Sequence, residues 1–406
     1  MTRAPLLTLE EAQAKMREGI RAVEDCEEVT IGEALGRVAA KAVTSPIPVP
    51  GFDNSAMDGY AFASASATGR RTLPVTGRAA AGDPPIRLAP GCACRIFTGA
   101  PLPHGADTVV IQEVCERQGD EIALPDVWTP GSHIRRRGED ITEGAEIVAA
   151  GRRLRPQDIG LLASCGCTHI VVRRRLRAVL LTTGDELREP GAGTLAPGQI
   201  YDSNRPMLRA LLAQLGVEVT SGPVLPDDFE ATRKGLRQAA ENADILITTG
   251  GVSVGEEDHV KKAVEDEGAL TLWRVGIKPG KPVAFGHIGR CYFLGLPGNP
   301  VSGFVTFALF ARPLVAALGG ETPQTLPILM ARAAFTRKKA DSRREFLRAR
   351  LRMAEDGIPE VDPYGQQSSG ALSSTTWADG LIDIGAGTTV DKGQWVRFVP
   401  FAGLFG

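Results

Sequence analysis

The stretch DILITTGGVSVGEED, residues 244–258, constrains this chain more than any other. Ile245, Leu246 and Ile247 make a short apolar run of strand length, and Thr248-Thr249-Gly250-Gly251 follows at once. A helix is expected from Asp258 to Asp266. Glycines between a parallel strand and a helix let backbone N–H groups close on a bound anion, and the helix N-terminus adds its dipole. The same loop ends in Glu256, Glu257 and Asp258, which repel an anion unless a divalent cation lies between them. Phosphate with magnesium is one reading. A glycine-rich turn with a solvated acidic helix start is the other, and the loop alone leaves both open.

The flanks repeat the pattern. A strand over 176–182 ends in Thr183-Gly184-Asp185-Glu186. A helix with Pro206 in its first turn sets Met207, Leu208, Leu211, Leu212 and Leu215 on one face and stops at Gly216. A strand near 217–220 leads to Pro226-Asp227-Asp228, which caps a helix over 229–240. This βαβαβ order predicts a parallel sheet covered by helices, with its ligand at the carboxyl ends of the strands. Two further loops point to that end. VGIKPGKP, residues 275–282, sets Lys278 and Lys281 three apart in a turn stiffened by prolines, which suits phosphate or oxyanion oxygens. A strand over 292–296 runs into Pro297-Gly298-Asn299-Pro300, and a helix over 301–318 follows with Ser302 and Gly303 in its first turn.

A length of 406 residues predicts two to four domains. A net charge of -2 gives no electrostatic case for nucleic acid or an anionic membrane as partner. No apolar run is expected to reach the ~20 residues of a bilayer span. Thr8, with Glu11 three residues on, reads as a helix start rather than a signal peptide, so the expected location is cytoplasmic. Cys92/Cys94 and Cys165/Cys167 lack zinc-ribbon spacing and read as small apolar core residues, as paired in a strand.

Residues 6–43 read as two helices, the first carrying Leu9, Ala12, Met16, Ile20 and Val23 and the second, over 31–43, containing Gly32 and Gly36. SPIPVPG, residues 45–51, is extended and marks a boundary. The loop FDNSAMDGYA, residues 52–61, presents Asp53, Asn54, Ser55 and Asp58. Short β runs at 75–81, 94–98, 108–114 and 122–124 predict an inserted β domain. Its strand ending in Thr98-Gly99 either meets a ligand or is simply capped there. Arg135, Arg136 and Arg137 stand against Glu139 and Asp140, to pair with them or to leave them for a metal. A short helix is expected from Arg155 through Ala163, and a β-rich tail follows Gly320, with Arg344, Arg348 and the loop GQQSSG at 365–370.

Seven segments in order, SAMDGYA (55–61), FTGAPLP (97–103), GED (138–140), TGDEL (183–187), TTGGVSVGEED (248–258), KPGKP (278–282) and LPGNPVS (296–302), resemble the molybdopterin molybdenumtransferase family, which is related to the gephyrin E domain. The resemblance implies a multidomain α/β and β chain. A discontinuous elongated domain spans 1–44 and 141–175, an inserted β domain 45–140, an α/β molybdopterin-binding domain with a parallel sheet 176–325, and a C-terminal β-barrel 326–406. It further implies a homodimer whose cleft is shared between subunits, and contact with the adenylyltransferase that acts one step earlier. The implied reaction converts adenylylated molybdopterin and molybdate, with Mg2+, to molybdenum-molybdopterin and AMP.

Carried over by the same resemblance, the catalytic positions are Asp58, Thr98, Asp140, Glu186, Asp228, Asp258 and Lys278, with Glu186, Asp228 and Asp258 as the metal ligands. Substrate contacts fall on Thr249, Gly250, Gly251, Ser253, Lys281, Pro297, Gly298, Asn299, Pro300 and Ser302. Lys278, Arg348 and Ser369 match the molybdate pocket, and Arg274 stands where some relatives carry lysine. The substrate's dithiolene sulfurs ligate molybdenum, so no protein cysteine is required. Two other readings compete. The earlier adenylyltransferase shares the α/β domain but needs neither flank, and a protein-binding scaffold would be expected to lose the carboxylates or the lysine loop, all of which are present. A paralogue that takes tungstate has the same sequence requirements.

Overall fold

The computed structural model describes residues 6–252, 259–323 and 325–405. Thr8 opens the first helix, Leu9–Glu18, through a capping box: its hydroxyl accepts the Glu11 amide at 3.1 Å, and Glu11 accepts the Thr8 amide at 2.8 Å. Leu9, Ala12 and Met16 form one buried stripe, packed with Leu212, Val315 and Leu318 in the core of the α/β unit.

The expected helix over 31–43 does not form. Cys26–Thr30 is a strand, Ile31–Glu33 a single 3-10 turn, and Gly36 takes a left-handed φ of 72°. β-Branched residues at 29–31 favour a strand, and two glycines within five residues cost a helix about 1 kcal/mol each relative to alanine. Cys26–Thr30 pairs antiparallel with His169–Arg173, and Val43–Thr44 with Glu146–Val148, which closes the discontinuous unit across the insertion. Helix Pro156–Ser164 lies between these strands in sequence. Cys165 and Cys167 follow it in a turn and not in a strand, while Cys94 is a core residue of Ala93–Ile96 whose thiol burial raises to about 11.

The insertion is a six-stranded sheet in the order Thr108–Ile111, Gly59–Phe62, Ala93–Ile96, Thr72–Ala79, Glu121–Ala123, Glu116–Gln118. The α/β unit also has six strands, ordered Glu218–Leu225, Arg177–Thr183, Ile245–Thr249, Cys291–Leu296, Pro282–Ile288, Gly268–Arg274. The first four run parallel and the last two form an antiparallel edge. Asp228 caps helix Phe229–Ala240 as expected, accepting the Ala231 amide at 2.8 Å. The tail closes a five-stranded barrel: Arg344–Met353, Pro359–Pro363, Leu329–Ala333, Trp395–Pro400 and Gly380–Ile384 pair in that order, and the last returns to the first.

One helical run among the described residues, Pro300–Leu318, has the length and apolarity of a bilayer span, contrary to the expectation that none would. Within it 78% of the most apolar stretch is buried inside the protein, against the sheet on one side and, on another, barrel residues Phe346, Leu381 and Val399 with Leu404 of the helix Phe401–Phe405.

The strand Ile245–Thr249 is held at its start by Asp244. Arg174 forks onto this carboxylate at 2.7 and 2.8 Å, and the Arg177 amide adds a bond of 2.8 Å. Burial alone would raise the Asp244 carboxyl, and these donors outweigh it, so the group sits below its ordinary value. Asp244→Asn is therefore expected to lower stability by about 2 kcal/mol at neutral pH. The loss should vanish as acid protonates the wild-type carboxylate, below the ordinary range near 3.8. Urea denaturation across pH measures both, and an unchanged midpoint at pH 7 would show that the pair holds nothing.

Candidate active site

The strands Arg177–Thr183, Ile245–Thr249 and Cys291–Leu296 are parallel neighbours, so their carboxyl ends open on one side of the sheet. A cleft of about 910 Å³ lies there, walled by the turns after these strands, the 278–282 loop and the barrel loop at 367–369. Glycine is required at its floor. Gly250 has φ 88°, and a Cβ there would stand 2.8 Å from both the carbonyl oxygen and the hydroxyl of Thr183. On its other side Gly298 lies 3.5 Å from the Gly250 Cα, measured from an added Cβ, and the Gly250 amide donates to the Leu296 carbonyl at 3.1 Å. Gly251, at φ 60°, is likewise pressed against Val260 and Thr183.

The helix beginning at Pro300 points its start into the cleft beside Ser302. Its first free amide, that of Val301, is taken at 3.0 Å by the Ser369 carbonyl, which docks the barrel loop onto the helix. Lys278 and Lys281 enter from the opposite loop, where Gly280 takes φ 106° and has no room for a Cβ against Thr306. Lys278 Nζ donates to Asp341 at 2.9 Å and lies 3.1 Å from Glu345, an ionic contact without hydrogen-bond alignment. Asp341, and then Glu345, hold the Lys278 ammonium above its usual value against partial burial, while Lys278 brings the Asp341 carboxyl down to about 2. Lys278 is thus fully charged near neutral pH, with one side of its ammonium still exposed to the cleft.

The cleft gathers most of the residues named from sequence: Glu186, Thr249, Gly250, Gly251, Lys278, Lys281, Pro297, Gly298, Asn299, Pro300, Ser302 and Ser369. Ser253 and Asp258, with Glu256 and Glu257, lie outside the described residues. Arg348 does not line the cleft. It is 1% exposed, and its guanidinium binds Ser374 at 2.9 Å and the Ser368 carbonyl at 3.0 Å, so it braces the loop that carries Ser369. Burial pulls it down to about 10.

Asp58, Thr98 and Asp140 are on the insertion and do not line the cleft of this chain. Asp58 accepts the Thr98 amide at 2.8 Å and its hydroxyl at 2.7 Å, which lowers its carboxyl and makes the two one unit. The neighbouring arginines do not pair with Asp140. Arg136 binds Asp53 at 2.7 Å, Arg137 approaches Glu143 at 3.8 Å, and Glu139 accepts the Arg136 amide at 2.7 Å, so the Asp140 side chain stays exposed.

Four contributors escaped the sequence reading. Asn204 is buried, donates to the Gly298 carbonyl at 2.7 Å, and leaves its Oδ1 without a partner at the cleft wall. The signal available was the Asp202-Ser203-Asn204 turn, where Asp202 caps the helix start. Asp227, beside the helix cap, lines the cleft where its neighbour Asp228 does not. Asp341 and Glu345 sit in ADSRREF, residues 340–346, whose alternating charges look like a solvated face.

Among the described residues no three His, Cys, Asp or Glu side chains form a metal cage. Magnesium, however, usually keeps several waters and needs only one or two carboxylates when phosphate oxygens complete it. Glu186 and Asp227 meet that requirement, and Gly184, at φ 138°, leaves the space beside the Glu186 carboxylate that a Cβ would fill. Asp228 has one carboxylate oxygen committed to its helix cap.

Comparison with known proteins agrees with this architecture. Models for the MoeA N-terminal region (domain I and II), a probable molybdopterin binding domain and the MoeA C-terminal region (domain IV) match residues 7–166, 179–317 and 330–401. The molybdopterin molybdenumtransferase of Haemophilus influenzae is 40% identical over 405 residues, covering 99% of this chain and 100% of its own. The molybdenum cofactor synthesis protein cinnamon of Drosophila melanogaster is 37% identical over 86% of this chain and 59% of its own. The crystal structure of a molybdopterin biosynthesis moeA protein from Pyrococcus horikoshii OT3 has a TM-score of 0.82 at 28% identity, covering 98% of this chain and 100% of that one.

Gly250→Ala tests the floor of the cleft. A left-handed φ costs alanine at least about 1 kcal/mol, and the contact with Thr183 must be relieved by moving backbone. Both a lower unfolding midpoint and a displaced Thr183 in a crystal structure of the variant are expected; an unchanged midpoint with Thr183 in place would show that the floor tolerates a side chain.

Proposed function

The chain belongs to the MoeA family of molybdopterin molybdenumtransferases, and from that premise we propose that its cleft inserts molybdenum from molybdate into adenylylated molybdopterin and releases AMP. The observation that carries this reading is the convergence, in a single cleft, of backbone at Gly250 and Gly251, a helix start at Ser302, and the cations Lys278 and Lys281. The close approach allowed at Gly250 and Gly251, with the helix start at Ser302, suits the phosphates of the adenylylated substrate. Lys278, anchored by two carboxylates, and Ser369, on a loop braced by Arg348, form the pocket for the tetrahedral molybdate dianion. Asn204 supports the Gly298 turn behind this pocket by donating to its carbonyl at 2.7 Å. Magnesium, when bound, neutralises phosphoryl oxygens, and Glu186 and Asp227 are the carboxylates of this chain that would hold it, with Asp258 beyond them in sequence. The division into a discontinuous unit of 1–44 with 141–175, an insertion of 45–140, an α/β unit of 176–325 and a barrel of 326–406 belongs to the same proposal.

The reading includes a homodimer acting in the cytoplasm, with docking of the preceding adenylyltransferase. Asp58, Thr98 and Asp140 are presented on the insertion away from this chain's own cleft, as residues lent to the cleft of a partner subunit would be.

The test is AMP release from adenylylated molybdopterin by purified protein with magnesium, with and without molybdate, while molybdenum bound to the pterin is followed. Molybdate-dependent release with metal insertion is expected, and chelation of magnesium should suppress it. Substrate that binds tightly without AMP release would point instead to a scaffold. Lys278→Ala should raise the half-saturating molybdate concentration at least about tenfold, equivalent to roughly 1.4 kcal/mol of oxyanion binding; an unaltered dependence would place the oxyanion elsewhere. Subunit sharing has its own readout. At molybdate well below the half-saturating concentration of Lys278→Ala, mixed Asp58→Asn and Lys278→Ala subunits should exceed the activity of either variant alone, and failure of mixed dimers to do so would confine the site to one chain.

A further inference from the structure

A second cavity, of about 260 Å³, shares no lining residue with the cleft. Four arginines from separate parts of the chain face it: Arg17 from helix Leu9–Glu18, Arg153 and Arg155 from the turn before helix Pro156–Ser164, and Arg312 from the Pro300–Leu318 run. Glu321 is the one carboxylate on its wall, and Arg153 already holds it at 2.9 Å, with the Gly36 and Leu215 carbonyls taking the same guanidinium at 2.8 and 3.2 Å. Arg155 is bound to Asp158 at 3.0 Å and remains half exposed. Arg17 and Arg312 have no side-chain partner among the described residues, although Arg312 is largely withdrawn from water.

A partly buried guanidinium opposed only by a carboxylate that another arginine already holds is expensive and does not escape by losing its proton. Burial, with Arg153 beside it and only Glu321 opposing, pulls the Arg312 guanidinium below its ordinary value while it stays charged. The cavity is many times the roughly 10–15 Å³ that one water needs, so something larger than water fits against that charge. Arginine forks match tetrahedral oxyanions two oxygens at a time. Pro313, Val315 and Leu404 add an apolar wall beside them.

We propose that this cavity is a second anion site, built for a small molecule bearing a phosphate or pyrophosphate group and separate from the site of molybdenum transfer. Because its walls come from the first helix, the discontinuous unit, the buried helical run and the C-terminal helix, an occupant would tie these parts together and stabilise the assembled chain by mass action.

Inorganic pyrophosphate at constant ionic strength is the probe, followed by calorimetric titration and by thermal unfolding of the whole protein. Wild type is expected to bind it saturably and unfold at a higher temperature. Lys278→Ala, far from the cavity walls and compared with its own unfolding temperature without pyrophosphate, should keep that shift. Arg312→Met should weaken binding at least tenfold and, without pyrophosphate, unfold no lower than wild type, since a costly charge has been removed. Should Arg312→Met not fold, Arg17→Ala decides, because Arg17 is exposed and its loss should weaken binding without disturbing the core. Equal affinity in wild type and Arg17→Ala, or a shift abolished by Lys278→Ala alone, would overturn the site.

Discussion

The cleft depends on how closely three strand ends approach at Gly250. Thr183, Gly250 and Gly298 come from consecutive parallel strands, and a single methyl group at the middle one would meet backbone from the first. Hydrogen bonds lock the approach from both flanks: Gly250 donates to Leu296, and Asn204 holds the Gly298 carbonyl from the adjoining helix. With the floor fixed, every polar group above it has a defined position, which is the condition for oriented contacts to an anion. Asp244, at the other end of the middle strand, fixes the start of that strand with a forked ion pair.

The barrel sets the charge of the site as well as one of its walls. Ile277–Lys278 pairs in parallel with the start of Arg344–Met353, so the lysine loop is itself an extension of the barrel sheet. That register brings Glu345, 2% exposed, between Lys278 and Arg337, a buried carboxylate shared by two cations. Removing either cation would leave Glu345 buried and undercompensated, so the loop and the barrel are coupled energetically as well as geometrically. Arg348 extends the coupling by bracing the loop whose Ser369 carbonyl accepts the Val301 amide.

What could be read in advance was local. The Thr8 box, the Asp228 cap, the stop at Gly216 and the glycines at 250 and 251 each express themselves within a few residues, and all take the expected form. Pairings between distant segments could not be read. Nothing within 26–44 announces its partners at 146–173, and so the Gly32 and Gly36 segment looked like a helix. The arginines at 135–137 looked matched to Glu139 and Asp140, but Asp53 lies nearer in space, 83 residues away in sequence from Arg136. Arg348 matches the molybdate pocket by the family resemblance alone, and its burial behind the Ser369 loop is set by barrel packing that no local pattern carries. Asp341 and Glu345 were hidden for the opposite reason, since a run of alternating charges does not say which member faces inward.

The apolar run Pro300–Leu318 also bears on how the chain is made. Synthesis proceeds from the N-terminus, so this helix leaves the ribosome before Phe346, Leu381, Val399 and Leu404, the C-terminal residues that cover part of it. Until then a segment apolar enough for a membrane is shielded only by its own sheet and the first helix. Phe401, from the helix that follows the barrel strands, packs edge-on against Phe304 at 5.1 Å and so covers this face only after the barrel has been made. Nascent chains that end near residue 325 therefore display a sticky surface to chaperones, and completion of the barrel removes it.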